Sequence, residues 1–157
     1  MTTDLLSQIW LANQNAAQGP IRKLTPDNYR NRLTPETSSV GFIALHTAEV
    51  MHRFATMLFG REPGIQMQTV GGVSDEGNPL DLTSVQQMVS DSFAIIADQI
   101  RQVSDEQWTE IISSPFGEVS RMQLLVFLMH HNSYHAGQIA QASKKGRVYE
   151  RITGQEA

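Results

Sequence analysis

The sequence predicts an all-α fold, a four-helix bundle built as one domain over residues 1–157. Three observations lead there. Four segments carry apolar residues at steps of three and four, the spacing of one helix face. No stretch shows the sustained alternation of a half-buried strand. Each segment has one apolar stripe, and packing the stripes together leaves the least apolar surface in water.

The first segment runs from Asp4 to about Gln18, with Leu5, Ile9, Ala12 and Ala16 on one stripe. Gly19-Pro20 then either ends it or kinks it before Ile21 and Leu24. Thr25-Pro26 and Thr34-Pro35 each read as a cap followed by proline at a first helical position. The second segment spans roughly Ser38 to Phe59, with Ile43, His46, Val50, Phe54 and Met57 in line and Gly60 as its stop. Residues 60–81 hold four internal glycines and two prolines without sustained period. Antiparallel helices usually need only about 2–8 linking residues, so this connection is long enough for a crossover or a lid.

Thr83, with Gln86 three residues on, reads as a capping box opening the third segment. Its stripe is Val85, Val89, Phe93, Ile96, Ile100 and Val103. Ser104 to Gln107 repeats the capping pattern before a short helix with Trp108. Ser114-Pro115-Phe116-Gly117 is a turn with short extended flanks. Ser120 with Gln123 opens the fourth segment, whose stripe is Leu124, Leu128, His131, His135, Ile139 and Ala142. Gly146 stops it, and Lys144, Lys145 and Arg147 complement the negative end of its dipole. Trp10, Trp108 and the methionines read as core or interface rather than as a cofactor box.

Composition narrows the function. Hydrophobic residues are 40% and charged residues 18%, too apolar for a disordered chain. No apolar run approaches the ~20 residues of a membrane span. The net charge of −4 lacks the basic surplus of a nucleic-acid binder. The acidic N-terminus does not have the layout of a signal peptide, so the expected location is cytoplasmic. With no cysteine, any metal is held by histidine and oxygen.

His131 and His135, at i and i+4, project from one face of the fourth helix, and that face is its apolar stripe. His46 lies on the stripe of the second helix. Three imidazoles in one interior are expensive, since burying an unpaired polar group costs about 1–3 kcal/mol. A divalent metal satisfies all three, and three protein ligands leave a fourth position open. The alternative is a set of hydrogen-bonded core histidines without metal. Neutral imidazoles suit zinc or nickel, with iron or manganese as further options. His52 and His130 fall off the stripes and read as surface or supporting groups. Glu49, one turn after His46, is the candidate catalytic residue: it can act as a base, orient a histidine, or simply face solvent. Gln138 either braces a ligand or packs beside Gly137. The zincin motif fails because Asn132, not Glu, follows His131. The di-iron pattern fails because only Glu49-x-x-His52 is present where two such motifs are needed.

The chain resembles the DinB/YfiT-like family of metal-dependent proteins over nearly its whole length. The markers are Ile9-Trp10-Leu11-Ala12-Asn13, Leu45-His46 with Glu49, and His131-Asn132-Ser133-Tyr134-His135-Ala136-Gly137-Gln138-Ile139. The family tends to place arginine where this chain has Ala136. The resemblance implies helices in up-down-down-up order, with residues 60–81 as the crossover. It also implies a metal held by His46, His131 and His135, and a homodimer. The implied activity is that of a thiol-dependent S-transferase or a hydrolase, acting on a small-molecule substrate with a low-molecular-weight thiol or water. The competing class is a non-enzymatic, metal-stabilised stress or interaction module.

Overall fold

A computed structural model of the chain describes residues 1–149. Its described elements are α1 (Thr2–Arg22), α2 (Val40–Phe59), α3 (Leu82–Ile100), a short 3-10 helix (Glu106–Thr109), β1 (Ile111–Ser114), β2 (Gly117–Ser120) and α4 (Arg121–Lys145). No helix among the described residues is long and apolar enough to cross a membrane.

Side-chain contacts fix the helix directions. Thr3 at the start of α1 donates to the Val103 carbonyl just past α3, and the Trp108 indole donates to the Thr3 hydroxyl. Arg121 at the start of α4 reaches the Leu58 carbonyl near the end of α2. At the opposite end, Gln86 near the start of α3 donates to the Ile21 and Leu24 carbonyls. The order is therefore up-down-down-up, and α2 and α3 run parallel as neighbours. The chain leaving Phe59 must travel back along a helix of 20 residues, about 30 Å at 1.5 Å per residue, before α3 can begin. Residues 60–81 make that journey.

The core is continuous through all four helices and Trp108. Helix α2 is buried on most of its circumference because α3 and α4 flank it and the crossover covers a further face. Ser39 caps its start, accepting from the Phe42 N–H, and Gly60 ends it in the left-handed conformation that glycine alone adopts freely (φ 69°). At α4 the Ser120–Gln123 capping box is complete in both directions.

Several sequence expectations are corrected. The buried stripe of α1 is Leu6, Trp10, Ala17 and Ile21, one position on from the predicted one, and Leu5 and Ile9 are 57% and 43% exposed. Both stripes have helical period. The largest side chain decides between them, because the Trp10 indole packs on Phe93 and donates to its carbonyl at 3.1 Å. Of the two outcomes open at Gly19-Pro20, the helix continues: α1 runs through Pro20 to Arg22 with Ile21 buried. Thr25-Pro26 and Thr34-Pro35 open turns instead of helices: Asn28 Oδ1 accepts from the Thr25 N–H, and Thr37 Oγ1 from the Thr34 N–H. The cap of α3 is Asp81, two residues before Thr83, and Gln86 ties down the end of α1 instead. The expected turn with extended flanks is present: the flanks of Pro115-Phe116 pair as a two-stranded antiparallel hairpin.

Candidate metal centre

His46 comes from the middle of α2, and His131 and His135 come from successive turns of the antiparallel α4. The fold brings the three rings together. Their centroids lie 5.3 Å (His46–His131), 5.1 Å (His46–His135) and 4.4 Å (His131–His135) apart, and one nitrogen from each falls within 4.8 Å of the others.

Hydrogen bonds set the tautomers of two rings. His46 Nδ1 lies 3.1 Å from the Thr69 carbonyl, which can only accept, so Nδ1 carries the proton and Nε2 keeps its lone pair. His135 Nδ1 donates in the same way to Gln138 Oε1 at 2.7 Å. The His135 and His131 Nε2 atoms face each other at 3.1 Å. A tetrahedral ion with bonds of ~2.0–2.1 Å needs ligand nitrogens roughly 3.3 Å apart, so this pair already has the spacing. His131 Nδ1 is buried without a partner, as is Asn132 Oδ1. Burial holds the His131 pKa down at about 3, with repulsion from His135 and His46 adding to the effect. Burial also lowers that of His135, against the opposing bond to Gln138. These two rings are therefore neutral near pH 7, the form in which imidazole ligates metal. The donor set and the spacing fit a divalent ion.

Glu49 is completely buried, so the solvent-facing alternative does not occur. Its carboxylate accepts from the Gln68 N–H at 2.8 Å and the Thr69 N–H at 2.7 Å, and also from the Thr69 hydroxyl. It thus faces the crossover, and it reaches His46 only through Thr69. Gln138 braces a ring. His130 is exposed as expected, but His52, read as surface or supporting, is buried, with its pKa lowered by that burial.

Two supports had no clear signal in the sequence. Thr69 sits in an aperiodic connection. Asn13 of α1 donates to the Met129 carbonyl and the Ser133 hydroxyl, and accepts from Asn132, so it fixes the backbone of α4 beside His131.

Two of the three rings, His46 and His135, line a cavity of about 400 Å³ together with Thr69. The cavity runs between the start of α2, the end of α4 and the crossover residues Gly72 and Val73.

The DinB family model matches residues 1–146. The chain belongs to the DinB family. Two solved structures share the DinB fold with it. A DinB-like protein from Bacillus cereus ATCC 10987 has a TM-score of 0.73 at 16% identity, covering 96% of this chain and 99% of that one. A DinB-like protein from Bacillus subtilis has a TM-score of 0.65 at 20% identity, covering 90% and 91%. No curated protein matches the sequence. Within this DinB chain, Ala136, next to His135, is buried in the core.

Proposed function

We propose that this DinB-family protein is a metal-dependent enzyme whose ligands are His46, His131 and His135, acting on a small molecule as an S-transferase with a low-molecular-weight thiol, or as a hydrolase with water. The observation that carries the reading is the position of the trio: three convergent imidazoles, two of which, His46 and His135, line a solvent-reachable cavity. A purely structural metal site is closed, whereas a catalytic one keeps a coordination position open toward substrate. This favours an enzyme over a metal-stabilised interaction module.

A bound zinc or nickel ion would supply Lewis acidity and lower the pKa of a thiol or water held beside it. The chain's own residues do the rest. Thr69 and Gln138 hold two rings in the ligating tautomer. Glu49 enters as a positioning residue, since both its oxygens are engaged by the 68–69 backbone. The crossover and α4 shelter the reacting end from bulk water.

A homodimer is part of the same reading. Neighbouring helices α1 and α4 leave Leu5, Ile9, Met122 and Val126 exposed, which is apolar surface that a second copy would cover. A cytoplasmic location agrees with a thiol cosubstrate.

The test is elemental analysis of untagged protein purified without chelator, coupled to a conjugation screen of several small thiols against electrophiles and a parallel thiol-free hydrolysis screen. Stoichiometric metal and metal-dependent turnover are expected. Absence of bound metal, or full activity after chelation, overturns the reading.

A further inference from the structure

The cavity wall carries a second message, in its charge. Among the described residues that line it there is no Asp, Glu, Lys or Arg. Leu33, Phe42, Ile43, Val73 and Ala142 give it apolar sides. The polar groups are neutral ones, the hydroxyls of Thr37 and Ser38 and the amides of Gln138 and Gln141. The nearby cation Arg32 is committed elsewhere: it donates to the Thr37 carbonyl at 2.8 Å and pairs with Asp75 at 3.1 Å. The basic residues Lys144, Lys145 and Arg147 at the end of α4 do not line the cavity. Glu49 lies behind Thr69 with its carboxylate fully engaged. A charged group placed against these walls, away from the histidine ligands, would lose water and gain no opposite charge from a side chain.

We infer that the substrate body bound in this cavity is uncharged and mainly apolar, of a size matched to a single ring or a short branched chain with a few neutral polar groups. This rests on the reading of the histidine trio as the reactive end, because it assigns the reacting head group to that end and the neutral body to the walls. It disfavours cosubstrates whose carboxylates or amines would have to sit against Phe42 and Ile43.

The experiment compares para-substituted benzyl thiols of matched size, bearing methyl, carboxylate or aminomethyl, by calorimetric titration of the zinc-loaded and the chelator-treated protein. The methyl compound is expected to bind at least tenfold more tightly than both charged ones in the zinc-loaded protein, and to keep its rank in the chelated protein. Equal or tighter binding of either charged probe, or no binding of any probe, overturns the inference. Neutral preference without strengthening by zinc supports the inference and counts against the metal reading, so the two fail separately. Gln141→Lys, an exposed change on the cavity wall, should narrow or reverse the gap between the methyl and carboxylate probes. An unchanged ratio would place the probes elsewhere and sink the assignment to this cavity.

Discussion

Glu49 and His46 sit one helical turn apart on α2, yet they communicate through Thr69, twenty residues further along the chain. The Glu49 carboxylate takes the Thr69 N–H and hydroxyl, and the Thr69 carbonyl takes the His46 Nδ1 proton. A buried acid thus anchors the crossover, and the crossover aims a ligand. The same anchor holds the strand of chain that walls the cavity, so ring orientation and cavity shape share one support.

Glu49→Gln should disturb both. A glutamine offers one acceptor oxygen where the carboxylate offers two, leaving a buried N–H of residue 68 or 69 unpaired, at about 1–3 kcal/mol. Loss of a partner that orients a metal-ligating histidine typically costs ~10–100-fold in affinity. Denaturant melts and zinc titration by competition with a chromophoric chelator measure the two effects. Wild-type zinc affinity in the variant would show that the Thr69 link does not position His46.

His131→Leu separates metal binding from folding. The native ring leaves a buried Nδ1 without a partner. Replacing it with an apolar side chain should leave the metal-free protein as stable as wild type or more so, while zinc affinity falls at least about a hundredfold on loss of one of three ligands. Circular dichroism melts of chelated protein and zinc titration check this. A large loss of stability without metal would mean that the ring serves the core rather than an ion.

Asp75 provides a pH signature at the other side of the crossover. Burial pushes its pKa up, but the N–H groups of Ser39 and Gly77 and the Arg32 guanidinium outweigh that and hold it below the usual 3.8. A carboxyl with a lowered folded pKa stabilises fully above its ordinary value, and that contribution is lost as pH falls through the lower folded value. Asp75→Asn should therefore be less stable than wild type at neutral pH, with the gap closing below pH 3.8. Urea melts across the pH series test it, and a gap independent of pH would exclude the charge as its source.

Gly146 is required for a close approach. A Cβ there would lie 2.4 Å from the Ala142 carbonyl oxygen and 2.5 Å from that of Arg32, where the backbones of Arg32 and Arg147 pair. Gly146→Ala should destabilise by about 1–3 kcal/mol, the usual range for overpacking. Thermal melts should show a lower midpoint, and an unchanged one would mean that the 32–147 pairing yields freely.

Within a few residues of chain, local rules were enough. The i,i+4 placement of His131 and His135, the Ser120–Gln123 box, the stop at Gly60 and the stripe of α3 could all be read from spacing, because helix geometry alone sets which side chains share a face. Two features escaped because competing local patterns were nearly equivalent. The face of α1 could be Leu5–Ile9 or Leu6–Trp10 by period, and packing of Trp10 on Phe93 chose. The cap of α3 is Asp81 rather than Thr83, because its carboxylate accepts from the Thr83 and Ser84 N–H groups. The convergence of His46 with the α4 pair was legible from the stripes, but its distances, the role of Glu49, and a cavity lined among the described residues by no charged side chain belong to the tertiary structure. They depend on the path of an aperiodic crossover and on the register of two antiparallel helices, and those are decided by contacts between residues twenty to a hundred positions apart, where no short-range periodicity carries information.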